Sequence, residues 1–365
     1  MKPLRIAVDA RELAGHVTGV GVYLMRLLPA WLSEPGVQIT LIAHRELAPV
    51  VDSLPNITFA RRIIRPSRTG GTVWEQLTLR DIATPAIADV LFAPAYTAPL
   101  RSRLPYVVTI HDVSFAAHPE WFAPRERLRR NMLTRRSAAG AAAVLTVSEF
   151  SAGEIASRFG IARGRIHVIF NAAPDRPGTT ASIAARDPLV MYVGSIFNRR
   201  HVPDLIAAFE LAARDRPAAR LVIAGANRTW PHEDIGARIA RSPVADRITW
   251  LQGASNHEIS GLLARASVSA FLSEYEGFSL TPLEALAHGV APVMSDTPVA
   301  REVFGTAAVL VPQGDVGAAA SAIGRLLDAP AERATIVSRA EPLWRRYDAE
   351  RSARETLAVL RDAAR

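Results

Sequence analysis

The sequence predicts an α/β protein with two domains, each built on a parallel β-sheet that helices cover on both faces. Short apolar runs alternate with helical patterns along all 365 residues, as expected of parallel strands joined by crossover helices. The chain is also longer than the roughly 250–300 residues at which a single hydrophobic core stops growing. Near residues 171–187, a segment of Ala, Pro, Gly, Thr and Asp without periodicity divides the chain in two.

Two series of strands lie on either side of this segment. The predicted strands of the first series are residues 4–8, 38–43, 90–93, 106–110, 143–147 and 167–170. Those of the second series are residues 189–193, 220–224, 248–251, 268–272, 291–294 and 308–311. Amphipathic stretches predict helices at residues 22–28, 125–137, 202–214, 256–264 and 282–287.

These patterns indicate two Rossmann-like domains that face each other, residues 1–180 and residues 181–345. Residues 341–365 are rich in Arg and Ala with helical periodicity, and we expect the final helix, residues 346–365, to pack back on the first domain. Ligands of parallel sheets bind at the carboxyl ends of the strands. In a protein with two such domains, the cleft between them is the expected site.

The composition is that of a globular protein, with 49% hydrophobic and 21% charged residues. The absence of cysteine excludes disulfides and thiolate metal sites. The first apolar run is too short for a signal peptide, and no stretch approaches about 20 apolar residues without a charge. We therefore expect a cytoplasmic location, either free or in peripheral contact with the inner face of the plasma membrane.

The net charge of +8 lies entirely in residues 1–180, which carry 22 basic and 14 acidic residues. Such an excess favours an anionic partner, but no nucleic-acid-binding motif is present, so nucleic acid is not expected. Six arginines between Arg125 and Arg136 lie beside Leu128 and Met132, which favours peripheral contact with an anionic membrane. An ordinary helix with a solvated arginine face is the alternative. For the basic excess as a whole, the alternative is a general use of arginine in place of lysine, since Lys2 is the only lysine.

The segment of residues 273–280 follows a predicted strand and precedes a helix that Pro282 can open. Helix N-termini present unpaired N–H groups, and Gly277 permits close approach of a ligand, so this turn suits a phosphate. Glu276 in the loop and Glu284 on the helix could hold two hydroxyl-bearing parts of one ligand. Two isolated glutamates would more often be a loop acid and an exposed helix acid.

A second loop, which begins at Gly194, carries Arg199 and Arg200 between a strand and a helix. Two adjacent cations can neutralise a diphosphate, and such groups stabilise the charge on a leaving diphosphate. A solvated pair of loop arginines is the alternative.

Two further candidates lie in the first domain. His111 directly follows a predicted strand, where it could donate a hydrogen bond to a ligand, although a structural role is the more common one. Gly19 and Gly21 precede a helix and could approach a phosphate. A dinucleotide fingerprint would need a glycine at position 24 and an acid after the second strand, and both are missing.

The stretch Ser-x-Tyr-Glu-Gly-Phe-x-Leu-x-x-Leu-Glu-Ala-Leu-Ala-x-Gly-x-x-Pro-Val, from Ser273 to Val293, resembles the signature of the family 4 glycosyltransferases. These are retaining enzymes of the GT-B fold, and this chain is similar to their mannosyl- and rhamnosyltransferase members. The resemblance implies that Glu276 contacts the donor sugar and Glu284 the ribose. It further implies that the backbone of the four residues Gly277, Phe278, Ser279 and Leu280 cradles the diphosphate.

The same resemblance extends to the other loops. Arg199 matches an arginine of the family pattern, whereas Arg200 replaces its lysine and His201 its asparagine. His111 would lie near the donor sugar and support the transition state, and the loop of Gly19 and Gly21 would border the cleft. Gly194 would belong to the glycine loop of the donor site.

The implied reaction moves a hexose, with mannose or a deoxyhexose favoured, from a nucleoside-diphosphate sugar to a glycan or lipid-linked acceptor in surface polysaccharide or O-antigen assembly. GDP is the favoured nucleotide. No Asp-x-Asp occurs, so we expect no metal and no other cofactor. The alternatives are a sugar-nucleotide epimerase of the same fold and a non-catalytic scaffold that binds nucleotide-sugar.

Overall fold

The computed structural model describes residues 3–15, 17, 19–67, 71–176 and 186–365. The predicted domain border at residues 180 and 181 lies outside these described residues. The chain forms two compact units. The N-terminal unit comprises Met1–Ala117, Arg125–Ala172 and Tyr347–Arg365, and the C-terminal unit comprises His118–Pro124 and Ala173–Arg346.

A parallel sheet of seven strands forms the centre of the N-terminal unit. Its strands are β1 (Leu4–Asp9), β2 (Val37–Ala43), β3 (Arg61–Ile64), β4 (Val90–Ala93), β5 (Tyr106–Thr109), β6 (Ala143–Thr146) and β7 (Ile166–Val168). They are arranged in the order β3-β2-β1-β4-β5-β6-β7. The central strands are buried because their apolar side chains are covered on both faces.

The C-terminal unit contains a parallel sheet of six strands. They are β8 (Asp187–Val193), β9 (Arg220–Ala224), β10 (Ile248–Leu251), β11 (Ala266–Phe271), β12 (Ala291–Ser295) and β13 (Val309–Val311). Their order is β10-β9-β8-β11-β12-β13. The chain therefore reverses its direction of strand addition between β8 and β11, and ligands of open parallel sheets bind at such a switch point.

Helices connect the strands of both sheets. In chain order they are α1 (Val20–Ser33), α2 (Gly71–Trp74), α3 (Arg80–Ile82), α4 (Ser114–Ala117), α5 (Pro124–Gly140), α6 (Glu149–Phe159), α7 (Val202–Ala212), α8 (Ile235–Ala240), α9 (Asn256–Arg265), α10 (Leu280–Ala287), α11 (Pro298–Phe304), α12 (Val316–Asp328), α13 (Pro330–Ser338), α14 (Glu341–Arg346) and α15 (Ala349–Ala363). A π-helical turn, Glu75–Leu79, joins α2 to α3. None of the helices in the described part of the chain is both long and apolar enough to cross a bilayer.

Strand β3 was not predicted from the sequence. It begins with Arg61 and Arg62, which are exposed, and only its last two residues are apolar and partly buried. The strand pairs with β2 alone and lies at the edge of the sheet. Edge strands need no continuous apolar run, because only part of their surface is covered.

The C-terminal segment is two helices, α14 and α15, rather than one helical stretch from residue 341. The helix breaks at Asp348, whose side chain accepts a hydrogen bond from the Arg351 backbone N–H and caps α15. Helix α15 packs against α1, where the Trp31 indole donates to the Ala353 carbonyl over 2.9 Å. Leu357 is buried in the same core, so α15 is part of the N-terminal unit.

Candidate functional site

Two loops meet at the switch point of the C-terminal sheet. One follows β8 and contains residues 194–201, and the other follows β11 and contains residues 272–279. The Glu274 backbone N–H donates to the Arg199 carbonyl over 2.9 Å. The Ser273 hydroxyl oxygen lies 3.3 Å from the same carbonyl oxygen. The two loops that the sequence singled out are therefore held together by direct hydrogen bonds.

A buried ion pair links the loops through their side chains. Arg200 Nε lies 2.9 Å from Glu276 Oε1, and the Glu276 side chain is 12% exposed. The Ser273 hydroxyl donates to the same carboxylate oxygen over 3.0 Å. Burial opposes the charged guanidinium, but the carboxylate of Glu276 outweighs that effect and raises the pKa of Arg200 above its ordinary value. The Arg200 guanidinium is therefore charged at neutral pH.

Gly194 provides the space that Arg200 occupies. A Cβ atom at position 194 would lie 2.5 Å from Arg200 Nη1, and the glycine has a φ of 123° that side chains rarely adopt. The same Nη1 donates to the Ser195 carbonyl over 2.9 Å. The guanidinium also lies 5.0 Å from the centre of the Phe271 ring. This glycine is thus required by packing around the arginine.

Arg199 keeps hydrogen-bonding capacity that the protein does not use. Its guanidinium lies 4.6 Å from the centre of the Phe197 ring. Its Nε is 3.7 Å from Glu276 Oε1, an electrostatic contact too long for a hydrogen bond. The buried Nε has no acceptor among the residues that the structure describes, and the side chain is only 13% exposed. An orphaned buried donor of this kind is costly and is suited to an anionic ligand.

His201, which replaces the family's asparagine, bridges two carboxylates. Its Nδ1 lies 3.0 Å from Asp204 Oδ2 and its Nε2 lies 2.9 Å from Glu274 Oε2. The hydrogen bond to Asp204, assisted by Glu274, raises the pKa of His201 to about 9 despite partial burial. The residue has a φ of 48°, a left-handed conformation in which His and Asn are both enriched. His201 therefore fits the backbone that asparagine would fit and adds a positive charge.

Helix α10 begins at Leu280, directly after the Glu276 loop. Gly277 and Phe278 are buried, and Ser279 adopts a φ of 71° without capping the helix through its side chain. The first backbone N–H groups of the helix are the kind that bind phosphates. Glu284 lies on the second turn and is half-buried. The predicted donor-binding residues of this segment are thus contiguous around one helix N-terminus.

His111 lies in the N-terminal unit, beyond the end of β5. Its Nε2 lies 2.9 Å from the Pro94 carbonyl oxygen, and its ring makes edge contacts with Tyr23 and Tyr96. Burial lowers the pKa of His111, so the ring is neutral. A carbonyl only accepts, so Nε2 carries the proton and Nδ1, which has no partner among the described residues, is an acceptor. This ring nitrogen therefore differs from the hydrogen-bond donor that the sequence predicts at His111.

The two glycines that the sequence predicts to precede a helix, Gly19 and Gly21, have different roles. Gly19 precedes the helix with a φ of 40°, and the space around its missing side chain is open. Gly21 lies inside α1, where a side chain would collide with the Glu12 carbonyl oxygen. Packing therefore explains Gly21 without a ligand, whereas Gly19 leaves a conformationally unusual and accessible backbone.

Sequence reasoning missed Gly225, which follows β9. A Cβ there would collide with the Gly194 carbonyl oxygen, so the loops after β8 and β9 approach each other only because residue 225 is glycine. Its position directly after a buried strand was the available signal. Across the described ranges, no group of three or more His, Asp or Glu side chains is arranged to hold a metal ion.

Sequence models of two families match the chain. The model described as "Glycosyltransferase Family 4" matches residues 17–175, and that described as "Glycosyl transferases group 1" matches residues 180–342. Together they cover most of both units.

Several curated relatives are bacterial mannosyltransferases, and another is "Glycogen synthase" of Mycobacterium tuberculosis, 30% identical over 68% of this chain and 59% of that protein. "O-antigen chain mannosyltransferase B" of Escherichia coli is 26% identical over 286 residues, which are 75% of this chain and 72% of that protein. "GDP-mannose:cellobiosyl-diphosphopolyprenol alpha-mannosyltransferase" of Xanthomonas oryzae is 27% identical over 204 residues, 56% of this chain and 52% of that protein. The chain therefore spans about half the length of the second mannosyltransferase.

Solved structures show the same fold at low identity. HepE of Anabaena in complex with UDP-glucose has a TM-score of 0.78 and 18% identity, covering 98% of this chain and 100% of that chain. Sucrose-phosphate synthase of Thermosynechococcus elongatus has a TM-score of 0.75 and 19% identity, covering 98% of both chains. The fold is thus GT-B, as predicted, and the protein belongs to the family 4, group 1 glycosyltransferases.

Proposed function

We propose that this glycosyltransferase moves a hexose, mannose or a deoxyhexose, from a GDP-sugar to a glycan or lipid-linked acceptor during assembly of a surface polysaccharide. The proposal rests on one observation. The loop of Arg199 and Arg200 contacts the loop of Glu276 beside the N-terminus of α10. This arrangement combines positive charge, the N-terminus of a helix and a carboxylate, which are the groups that a sugar diphosphate needs. The preference for mannose rests on the names of two bacterial relatives, and the preference for GDP rests on the name of the second.

Arg199 is the proposed principal ligand of the diphosphate, because its buried Nε lacks an acceptor. Arg200 is already bonded to Glu276 and Ser195, so it supplies charge and holds the glutamate towards the sugar hydroxyls. The backbone of residues 277–280 would receive the phosphate oxygens and Glu284 the ribose. As the leaving diphosphate develops charge, these fixed positive groups stabilise it, and we propose that the reaction needs no metal.

His111 is proposed to accept a hydrogen bond from a sugar hydroxyl through its neutral Nδ1. Gly19 offers backbone near the same substrates, consistent with its open surroundings. We propose that the anomeric configuration is retained, as family membership implies. In that reaction the acceptor hydroxyl attacks the face from which the diphosphate departs.

Nucleotide binding tests the donor site directly. Thermal shift and titration calorimetry with GDP, UDP, dTDP and ADP should show the largest stabilisation with GDP. Replacement of Arg199 by alanine should weaken GDP binding about tenfold to a hundredfold, because a charged hydrogen bond contributes about 1.5–3 kcal/mol. The matched control is Arg241→Ala, since Arg241 is exposed and outside these loops. Stabilisation by UDP alone would overturn the choice of nucleotide, and unchanged binding by the Arg199 variant would remove this residue from the site.

We also propose that α5 contacts an anionic membrane surface. Leu128 and Met132 are 69% and 43% exposed and lie one turn apart on the helix. Arg125, Arg135 and Arg136 are exposed on the same face. Apolar side chains flanked by arginines are typical of helices that lie in a membrane interface, whereas a purely solvated face would not need the two apolar groups.

Vesicle co-sedimentation tests this contact. The protein should bind vesicles of phosphatidylglycerol and not those of phosphatidylcholine, and binding should fall with added salt. Replacing Arg125 and Arg136 by glutamate should abolish it, whereas Arg241→Glu should not. Equal binding to both kinds of vesicle, or to neither, would contradict the proposal.

A further inference from the structure

A pocket lies in the C-terminal unit beside the loop of residues 194–201. Arg199 and Arg200 of that loop do not line it. It has a volume of about 550 Å³, within the range of about 300–1,000 Å³ found for small-molecule sites. Besides two prolines it is lined by Glu120, Trp121, Asn198, His201, Asp204 and Glu233. Asn198 and His201 flank Arg199 and Arg200 in the chain, so an occupant would lie close to the proposed donor site.

Trp121 comes from the segment His118–Pro124, which belongs to the C-terminal unit. The His118 ring stacks on its indole, with ring centres 4.0 Å apart and an angle of 10° between the planes. Tyr275 contacts the His118 ring edge-on at 5.2 Å and the indole at 6.5 Å. Tyr275 precedes Glu276, so the aromatic wall of the pocket is held by the same loop that carries the predicted sugar-binding glutamate.

Three carboxylates of the pocket are each fixed through one oxygen. The pairs are Glu120 Oε1 with His118 Nδ1 at 3.1 Å, Asp204 Oδ2 with His201 Nδ1 at 3.0 Å, and Glu233 Oε1 with Asn198 Nδ2 at 2.7 Å. The second oxygen of each carboxylate has no hydrogen-bond partner in the described part of the chain. Each of these three lining carboxylates thus keeps one oxygen that no donor of the described residues occupies.

The charge of the lining decides what these acceptors can take. No Lys or Arg lines the pocket, and the one cationic side chain, His201, is engaged by Asp204 and Glu274. A phosphate would meet carboxylates and be repelled. Hydroxyl groups, in contrast, donate to carboxylate oxygens, and the apolar face of a sugar ring packs on an aromatic side chain.

We propose that this pocket binds an uncharged saccharide unit of the acceptor glycan, removed from the sugar that receives the transferred hexose. The inference rests on the proposed function for the identity of the acceptor. Trp121 supplies the stacking surface, and the free oxygens of Glu120, Asp204 and Glu233 receive the hydroxyls. The pocket then recognises acceptors that carry a neutral sugar at this position. Any diphosphate of a lipid carrier would lie outside the pocket.

Ligand-detected NMR on the full chain tests the pocket without any need for activity. The probes are α-1,2-mannobiose, α-1,3-mannobiose and maltotriose, with glucose 1-phosphate as the charged comparison. We expect saturable binding of at least one neutral probe and none of the phosphate. Trp121→Ala should weaken binding about tenfold, the effect of losing one aromatic stacking partner. Glu120→Gln, a milder change at an exposed side chain, should also weaken binding of the neutral probe. This second variant keeps the test informative if Trp121→Ala does not fold.

The matched control is Phe59→Ala, because Phe59 is an aromatic side chain of the N-terminal unit that is 75% exposed and does not line the pocket. This variant should bind the probes as the wild type does. Undiminished binding by both Trp121→Ala and Glu120→Gln, absence of binding by every neutral probe, or equal binding of glucose 1-phosphate would each overturn the proposal.

Kinetics separate this proposal from the proposed function. If sugar transfer is observed, Trp121→Ala should raise the KM of the acceptor about tenfold and leave GDP affinity unchanged. Transfer with an unchanged acceptor KM would overturn the pocket alone. If no donor supports transfer, the proposed function fails, and the NMR titration still decides the pocket.

Discussion

Replacing His201 by asparagine should remove a pH-dependent share of the stability of the C-terminal unit. The imidazole bridges Asp204 and Glu274, which lie on α7 and in the loop after β11. Asparagine keeps the left-handed backbone that the position requires. It cannot carry the positive charge, so the variant isolates the electrostatic contribution of the bridge.

The magnitude follows from the pKa of His201, about 9 against about 6.5 for a free imidazole. Each pKa unit is worth about 1.4 kcal/mol, which sets an upper limit of about 3.4 kcal/mol. Since 29% of the side chain is exposed, solvent screening reduces this to about 2 kcal/mol. Because the folded pKa is raised, the contribution is fully present below pH 6.5 and is lost as the pH rises through 9.

Thermal unfolding of the wild type and His201→Asn between pH 6 and pH 10 measures this directly. At pH 6 the wild type should be more stable by about 4–8 °C, since 1 kcal/mol shifts the midpoint of a unit of this size by about 2–4 °C. By pH 10 the two midpoints should coincide. His257→Asn, a change at an exposed histidine, should show no such trend. A difference that stays constant, or grows with pH, would refute the reasoning.

Two further predictions concern packing around charged groups. Gly194→Ala should displace the Arg200 guanidinium, because the added Cβ would lie 2.5 Å from Nη1. GDP affinity measured by calorimetry should then fall about tenfold. Unchanged affinity would contradict the role of Gly194 in placing Arg200. Arg11→Met should destabilise the N-terminal unit by about 3–5 kcal/mol, because Asp9 and Glu75 are buried and each lies 2.6 Å from the guanidinium. Hydrogen exchange of β1 would measure the loss, and a change below about 1 kcal/mol would contradict it.

Each of these variants has a matched control in the chain. Gly261 has nothing within 4 Å of its missing side chain and lies on α9, so Gly261→Ala should leave GDP affinity unchanged and slightly raise stability. Arg127 is exposed on α5, so Arg127→Met should change the stability of the N-terminal unit by less than about 0.5 kcal/mol.

Most of the two sheets could be predicted because buried parallel strands are continuous apolar runs. Residues 90–93, 220–224 and 248–251 were predicted with the bounds that the structure has. Strand β3 could not be predicted, because Arg61 and Arg62 make half of it polar. The break before α15 could not be predicted either, because residues 341–365 keep a helical composition throughout. Only the capping geometry of Asp348 shows where the helix is interrupted.

The candidate site was predictable to the level of loops. Charged residues that follow strands meet at one edge of a parallel sheet, and this brought residues 194–201 and 273–280 together. Spacing along the chain could not show which arginine pairs with Glu276, since this depends on the space beside Gly194. The contact of His201 with Glu274, 73 residues away, likewise depends on tertiary packing.

The segment His118–Pro124 illustrates the same limit. Its sequence lies among the strands of the N-terminal unit, yet the stacking of His118 and Trp121 near Tyr275 assigns it to the C-terminal unit. Contacts between residues more than 150 positions apart leave no periodicity in one sequence.

Transfer of labelled mannose from GDP-mannose to a polyprenyl-diphosphate-linked saccharide, compared between the wild type and Glu276→Gln, tests the central claim most directly. The wild type should form a glycosylated lipid, and the variant should lose at least about a hundredfold in kcat, because an amide replaces the carboxylate that we propose to hold the donor sugar while the side-chain shape is kept. Glu302→Gln, a change on α11 outside the two loops, should retain full activity. Equal rates for the wild type and Glu276→Gln, or no transfer by the wild type from any GDP-, UDP- or dTDP-sugar, would contradict the account.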